Sequence, residues 1–188
     1  ILIHGLCLHS GCYPDLINYL ISNKMKVYAL DLPGFGKSIG ERGNIDDFNK
    51  YIDDLESFRR LIKGIEGFRE IIFLGHSLGA NVALSYFGRY PENNIRTIIA
   101  SPILFSPLFK SVKNNNSKVD ISHEYFASER GRLIVLKNDK LVLKSVSSRL
   151  LFKLKNTAEN IKNLSKQKLL FLQGEFDEVT TSDNVENF

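Results

Sequence analysis

The sequence predicts an α/β protein with a mostly parallel sheet and helices on both faces of that sheet. Short runs rich in apolar and β-branched residues alternate with longer amphipathic stretches, and this alternation is typical of βα units. Five strands are predicted, over residues 1–4, 26–31, 70–74, 96–101 and 168–173. Three helices are predicted between them, over residues 13–24, 45–63 and 78–90.

Local signals indicate where two of the helices begin or end. Asn44 is the predicted N-cap of the second helix, because an Asn side chain can accept a hydrogen bond from the first turn. Asp46 and Asp47 would then lie in that first turn, where a carboxylate interacts favourably with the helix dipole. Pro91 follows the third helix and predicts its end.

The pentapeptide Gly75-His76-Ser77-Leu78-Gly79 lies between an apolar run and a helix-compatible segment. A G-x-S-x-G pattern in this context is typical of a nucleophile elbow, a tight turn that exposes the serine hydroxyl. We expect a strained backbone at Ser77, and glycines two residues away on either side that let strand and helix approach closely. The N–H of Leu78 would face the same space as the hydroxyl. The alternative is an ordinary turn between strand and helix.

A serine hydroxyl becomes a nucleophile when an imidazole takes its proton and a carboxylate holds that imidazole. The candidate carboxylate is Asp177, which follows strand 168–173 on a loop where α/β sheets place their sites. Glu175 and Glu178 are nearby competitors, and a solvated acidic loop is the alternative.

An oxyanion that forms during acyl transfer needs a second N–H donor besides that of Leu78. The N–H of Leu6, just after the first strand, is the predicted donor. Gly5 suits a backbone that approaches a ligand closely, so we also expect Gly5 to line the substrate pocket.

The chain has four histidines, and none of them follows Asp177. His4 lies in the predicted oxyanion loop, and His123 lies in the segment before the acid. His9 and His76 are candidate substrate-pocket residues, although the position of His76 directly before the serine favours a structural role. The order Ser, then Asp or Glu, then His is the usual one for this arrangement. The sequence therefore carries two members of a triad without a histidine in the expected place.

More than sixty residues separate strands 96–101 and 168–173, which is too many for a simple crossover. We predict three parts: residues 1–106 as the first part of the core, 107–167 as a helical cap, and 168–188 as the continued core. Apolar residues in the cap recur at helical spacing and predict one long helix. They are Leu143, Val146, Leu150, Leu154, Ala158, Ile161 and Leu164. This helix could form a lid over the serine or simply pack as an ordinary helix.

The composition suits one globular domain, because 43% of the 188 residues are hydrophobic. The chain begins at Ile1 inside a predicted strand and stops at Phe188, so we expect a fragment of a longer protein, which could have a signal peptide. No run of 18 apolar residues is present that would span a membrane. Cys7 and Cys12 lack zinc-type spacing and are expected to be reduced thiols.

Positive charge is concentrated in residues 107–168, which hold 14 Lys and Arg but only 5 Asp and Glu. Such a surface could contact an anionic membrane or a phosphate-bearing substrate. A solvated lysine-rich surface is the alternative, and we favour it. Nucleic-acid binding is not expected, because the basic residues do not alternate with exposed aromatic residues.

Several blocks of sequence together resemble one family. Residues 4–13 are similar to H-G-x-x-E-H-S-x-R-Y, and residues 31–43 to D-x-x-G-x-G-x-S-x-G-x-R-G. Four further blocks follow in the same order as in the family. They are the elbow, Ser101-Pro102, Asn138-Asp139-Lys140-Leu141 and the segment 172–177. These blocks resemble the monoacylglycerol lipase and lysophospholipase branch of the α/β-hydrolase superfamily, a branch that is also described as serine aminopeptidase-like.

This resemblance implies an α/β-hydrolase fold with Ser77 as nucleophile, Asp177 as triad acid, and the N–H groups of Leu6 and Leu78 as oxyanion hole. It also implies a catalytic histidine beyond Phe188, so that this fragment alone would be inactive. The implied activity is hydrolysis of a carboxylic ester, most simply of a monoacylglycerol or a lysophospholipid, without a metal or an organic cofactor. The implied location is the cytoplasm or the periphery of a membrane. A non-catalytic lipid-binding protein, an acyltransferase and an aminopeptidase on the same scaffold are the alternatives.

The sequence departs from the family at three positions. Leu8 replaces a glutamate, Cys12 replaces an arginine, and Lys140 replaces a proline of the cap. If the glutamate and arginine normally pair, both are lost together, and we expect packing to hold this loop instead.

Overall fold

The computed structural model describes residues 1–67, 70–90, 95–103, 109, 112–122, 134, 136–161, 168–175, 177 and 179. Its seven strands are β1 Leu2–Ile3, β2 Ala29–Leu30, β3 Ile72–His76, β4 Arg96–Ala100, β5 Lys118–Asp120, β6 Ser145–Ser147 and β7 Lys168–Leu172. Five of them form one parallel sheet in the order β2-β1-β3-β4-β7, which confirms the predicted α/β fold class. The other two, β5 and β6, form a separate antiparallel pair.

The described fold also contains a short 3₁₀-helix and four α-helices with assigned bounds, and residues 136–138 are helical as well. The 3₁₀-helix is Ser10–Cys12, and the α-helices are α1 Pro14–Ser22, α2 Asn49–Glu66, α3 Leu78–Arg89 and α4 Ser148–Asn160. The core is built where α2 and α3 pack on the sheet. There the ring of Phe73 lies edge-on to the ring of Tyr86, with 5.1 Å between the ring centroids. No helix in this part of the chain is long and apolar enough to cross a membrane.

Each predicted strand of the main sheet and each of the three predicted helices is present, but the start of α2 differs from the prediction. The prediction of Asn44 as N-cap is wrong, because α2 begins at Asn49 after Phe48, which makes no side-chain cap. Asn44 is buried, and its Oδ1 accepts a hydrogen bond from Ser147 Oγ at 2.5 Å. Asp46 and Asp47 therefore precede the helix instead of lying in its first turn.

The long helix predicted across residues 143–164 is shorter in the structure. It begins only at Ser148, because the Ser147 side chain accepts the N–H of Leu150 at 3.0 Å and caps the first turn. Val146 lies instead in β6, opposite Val119 of β5, so its burial comes from a strand and not from the helix. Leu164 lies outside the described residues.

The inward face of α4 is part of the main core. Leu150, Leu151 and Leu154 are fully buried, and they belong to the same apolar cluster as Phe48 and Leu84 beside α2 and α3. This packing favours the reading of α4 as an ordinary packed helix over the reading as a lid. The domain boundaries at residues 107 and 168 remain a prediction.

Residues 139–147, which we call the tether segment, are hydrogen-bonded to two loops of the core. The N–H of Leu143 donates to the carbonyl of Cys7 at 2.9 Å, and the N–H of Ser147 donates to the carbonyl of Gly43 at 2.8 Å. With the Ser147 hydroxyl on Asn44, these bonds hold the segment against the loops that follow β1 and β2.

Candidate active site

Ser77 occupies the turn between β3 and α3 in a strained conformation. Its φ of 55° and ψ of −114° lie in a region that costs a non-glycine residue about 1–3 kcal/mol. The surrounding backbone holds it there: its N–H donates to Ala100 O at 2.8 Å, and its carbonyl accepts the N–H of Ala80 at 3.0 Å. The strained turn predicted from the pentapeptide is therefore present, and the serine is half-buried.

The two glycines of the elbow are required by close backbone contacts. A Cβ on Gly75 would lie 2.5 Å from the carbonyl oxygen of Gly79, and a Cβ on Gly79 would lie 2.2 Å from that of Ile3. Both distances are far below van der Waals contact, so only glycine lets α3 start this close to β1 and β3.

The loop after β1 passes directly beside the elbow. A Cβ on Gly5 would lie 2.8 Å from His76 Nδ1 and 3.3 Å from Ser77 Cβ. Leu6 and Leu78 are buried, and neither backbone N–H donates to an acceptor in the described part of the chain. The role of the Leu6 and Leu78 N–H groups as oxyanion hole stays a prediction, which the closeness of this loop to the strained serine supports.

The imidazole of His4 is hydrogen-bonded to the loop after β1, which is the predicted oxyanion loop. His4 is completely buried, and this burial lowers its pKa to about 4, so the ring is neutral at pH 7. Nε2 accepts the N–H of Leu32 at 2.9 Å, which leaves the ring proton on Nδ1 to be donated to Gly5 O at 2.8 Å. The N–H of Leu8 donates to the same carbonyl at 3.2 Å. The peptide that carries the Leu6 N–H is thus held through its oxygen.

Asp177 lies in a turn just beyond β7, at the same end of the sheet as the elbow. Its Oδ1 accepts the N–H of Val179 at 3.0 Å, and its Oδ2 accepts Nε2 of Gln173 at 3.2 Å. Burial lowers the pKa of His76 to about 4, and the negative charge of Asp177 acts in the opposite direction on that pKa. The carboxylate therefore interacts electrostatically with the residue that precedes Ser77. Of the competing acids, Glu175 is exposed and Glu178 lies outside the described residues.

The described histidines use their ring nitrogens within the protein. His9 Nδ1 accepts the N–H of Gly11 at 3.1 Å, and its Nε2 lies 2.9 Å from Oδ2 of Asp139 in the tether segment. His76 Nδ1 lies 2.9 Å from the hydroxyl of Tyr13. None of the histidines in the described ranges hydrogen-bonds the Ser77 hydroxyl. His123 lies outside these ranges, and a substrate contact by His9 or His76 stays a prediction.

His9, Cys12 and Asp139 are the described residues whose side chains come nearest to a metal-binding group, with potential ligand atoms within 4.8 Å of one another. The existing hydrogen bonds do not favour such a use. The Gly11 N–H occupies the lone pair of His9 Nδ1, which leaves the ring proton on Nε2, facing Asp139. A metal on Nε2 would move that proton to Nδ1, against the Gly11 N–H. The geometry therefore fits a His–Asp hydrogen bond.

Two of the residues that depart from the family pattern, Leu8 and Cys12, lie in a small apolar cluster. Leu8 and Cys12 are buried against Leu136 and Val142, with Tyr13 alongside. Cys7 and Cys12 are both buried, and neither forms a disulfide. Packing therefore contributes to holding this loop, together with the hydrogen bonds from Leu143 to Cys7 and between His9 and Asp139. Sequence reasoning missed Asp139 as the partner of His9, because the two residues lie 130 positions apart.

A cleft of about 730 Å³ lies between α2, α3 and α4, but it is not at the elbow. It is lined by Leu84, Ser85 and Gly88 from the second half of α3, whereas Ser77 precedes the first residue of that helix. At the rise of an α-helix, these residues lie roughly 10–16 Å along the axis from Ser77. The cleft is therefore separate from the candidate site.

A five-stranded parallel sheet, a strained serine between strand and helix, and a carboxylate after a later strand define the α/β-hydrolase class. The chain belongs to the family described as "Serine aminopeptidase, S33", which matches residues 1–188 and confirms the resemblance inferred from the sequence blocks.

Relatives in this family include enzymes that act on lipids. The monoacylglycerol lipase of Mycolicibacterium smegmatis is 28% identical over 102 residues, which are 54% of this chain and 36% of that protein. A phospholipase of Bacillus subtilis is 32% identical over 101 residues, 54% of this chain and 38% of that protein. The matched region thus spans little more than a third of these curated relatives.

A solved structure extends the likeness in fold over nearly the whole chain. The monoacylglycerol lipase of Paleococcus ferrophilus superposes with a TM-score of 0.83 at 24% identity, over 98% of this chain and 76% of that one. This similarity establishes the fold.

Proposed function

We propose that the protein is a serine hydrolase that cleaves carboxylic esters. The observation that carries this proposal is the strained Ser77 at the C-terminal edge of the sheet, next to the N–H groups of Leu6 and Leu78, which donate to no acceptor among the described residues. A strained backbone at a non-glycine residue persists only where the surrounding structure imposes it, and such residues cluster at active sites.

In the proposed reaction, Ser77 Oγ attacks the ester carbonyl carbon while its proton passes to an imidazole oriented by Asp177. The carbonyl oxygen becomes an oxyanion that accepts hydrogen bonds from Leu6 and Leu78, and losing one such donor typically costs about 2.7–4 kcal/mol. The protonated imidazole then gives its proton to the departing alkoxide. Water releases the acyl group by the same steps in reverse order. The imidazole is the one group in this scheme that we do not assign to a described residue.

The substrate class proposed is a lipid with one acyl ester, either a monoacylglycerol or a lysophospholipid. Two relatives of this chain support it, because they are a monoacylglycerol lipase and a phospholipase. If the positively charged residues of segment 107–168 border the pocket, they would favour a lipid with a phosphate group or an anionic bilayer over a neutral one. Rates on monoacylglycerol and on lysophosphatidylcholine separate the two substrates.

A second candidate is a non-catalytic protein that uses the same pocket to bind a lipid. The observation in its favour is that no described histidine hydrogen-bonds the Ser77 hydroxyl. This candidate predicts binding of fatty acid or monoacylglycerol without turnover, and no covalent labelling of the serine.

A fluorophosphonate probe on the full-length protein decides between the two candidates. The hydrolase proposal predicts labelling that is lost in Ser77→Ala and retained in Ser85→Ala, a control serine on α3 whose hydroxyl donates to Asn81 O. Absence of labelling in the folded wild-type protein would favour the binding protein. Faster turnover of an aminoacyl amide than of either lipid ester would indicate a peptidase on the same scaffold.

A further inference from the structure

The hydroxyl of Tyr13 links the oxyanion loop to the elbow. It accepts the N–H of Gly5 at 2.9 Å, and it lies 2.9 Å from Nδ1 of His76, the residue before Ser77. The rings of Tyr13 and His76 meet edge-on at 5.8 Å, so the tyrosine is fixed by packing as well. One side-chain oxygen therefore connects two backbone segments that are far apart in sequence.

The Tyr13 hydroxyl lies at a position where it can affect the proposed oxyanion hole. Gly5 lies between the end of β1 and Leu6, the proposed oxyanion donor, and passes close to Ser77 Cβ. Gly5 O is already held by His4 Nδ1, while Gly5 N–H is held by Tyr13. Both polar groups of this glycine are thus fixed, although a glycine is the residue most free to change its backbone angles.

An oxyanion hole works only when its donors are held in place before the reaction begins. The useful range is about 2.7–3.1 Å from the developing oxyanion, and a misplacement of about 1 Å can reduce the rate about 100-fold. The Leu78 N–H is held rigidly by the start of α3, whereas the Leu6 N–H lies on a loop. Its distance from the elbow therefore depends on the contacts that tie this loop to β3.

We propose that Tyr13 is a positioning residue that holds the Leu6 N–H and the Leu78 N–H at the spacing an oxyanion requires. This inference rests on the proposed hydrolase function. The proposed role of the hydroxyl lies in its hydrogen bonds to Gly5 and His76, not in a contact with the substrate. Its effect is on the transition state, through the placement of the loop.

Tyr13→Phe in the full-length protein tests the proposal, because it removes the hydroxyl and keeps the ring that packs on His76. The matched control is Tyr19→Phe, the same change on α1 at a side chain that is 66% exposed. The measurements are kcat and KM for a soluble ester, affinity for a trifluoromethyl ketone that forms a tetrahedral adduct with serine, and unfolding in urea.

We expect Tyr13→Phe to lower kcat about 10- to 100-fold and to change KM less than about two-fold. Affinity for the trifluoromethyl ketone should fall by the same factor as kcat, while Tyr19→Phe stays like wild type. A residue with a merely structural role would lower the urea midpoint without this loss of affinity.

Three results would overturn the proposal: a folded Tyr13→Phe protein with unchanged kcat, a rise in KM alone, or a variant that fails to fold at 25 °C. The last result would make the hydroxyl a determinant of folding. Failure of the hydrolase function itself is distinguishable, because wild type would then show no turnover that depends on Ser77.

Discussion

Lowering the pH from 7 to 5 should destabilise the fold through His4. This ring is completely buried, and burial lowers its pKa from the ordinary 6.5 to about 4. Between these two values the unfolded chain binds a proton at His4 that the folded chain does not. The stability that depends on a neutral His4 is therefore fully present above pH 6.5 and is lost as the pH falls toward 4. Protonation would also place a hydrogen on Nε2 against the N–H of Leu32.

The size of this effect follows from the two pKa values. Between pH 7 and pH 5, a shift of this size removes about 2 kcal/mol from the free energy of unfolding. His76, whose pKa burial also lowers to about 4, acts in the same direction and over the same pH range. The effect is separable from that of Glu56, whose pKa is lowered to about 2, mainly by hydrogen bonds from Arg59, and which destabilises only below about pH 4.5.

Urea unfolding followed by circular dichroism at pH 7, 6 and 5 measures this loss. The comparison is with His4→Gln, in which Oε1 can still accept from Leu32 but cannot be titrated. Whatever its stability at pH 7, the variant should lose about 2 kcal/mol less than wild type between pH 7 and pH 5. Parallel pH profiles for the two proteins would refute the reasoning, because His4 would then have the same pKa in both states.

Four further outcomes are expected. Gly79→Ala should destabilise the protein by more than about 3 kcal/mol and abolish fluorophosphonate labelling of Ser77, because the new Cβ would lie 2.2 Å from the carbonyl oxygen of Ile3 in β1. The control is Gly88→Ala on the same helix, whose Cβ would meet nothing within 4 Å. This change should be neutral or stabilising by up to about 1 kcal/mol. Glu56→Gln should lower the free energy of unfolding by about 3 kcal/mol, because it removes the negative charge that pairs with the largely buried Arg59. The exposed control Glu70→Gln should cost less than about 1 kcal/mol. Ser147→Ala removes the cap of α4 and should lower the free energy of unfolding by about 1–2 kcal/mol, which is measured as a lower urea midpoint. An unchanged midpoint would contradict the capping role. Residues 1–188 alone should not hydrolyse p-nitrophenyl esters, and robust turnover that depends on the serine hydroxyl would show that a histidine within this sequence serves as base.

The parts of the fold and site that were predictable are those encoded by neighbouring residues. The elbow is an example: its glycine spacing, the apolar run before it and the helical segment after it all lie within about twenty residues, and the strained φ of Ser77 is present as predicted. The parallel sheet follows in the same way from alternation along the chain.

Contacts between distant segments were not predictable from local patterns. Asn44 has the residue type and position of an N-cap, but its side chain bonds Ser147, 103 residues away. Tyr13 and His76 are 63 residues apart, and nothing in either local sequence indicates that they meet. The spacing of Leu143 and Val146 fits a helix, yet β-pairing with residues 118–120 places Val146 in a strand.

The tether segment limits how the pocket can open. Five hydrogen bonds connect it to the core: Leu143 to Cys7, two from Ser147 to residues 43 and 44, Arg42 to Leu141 O, and His9 to Asp139. At about 1 kcal/mol for each bond, the state with all five released would be populated in only about one molecule in five thousand. A conformation in which residues 139–147 have moved away from the core would thus be absent during nearly all encounters with a lipid. Entry of an acyl chain should depend on movements in other parts of the polypeptide.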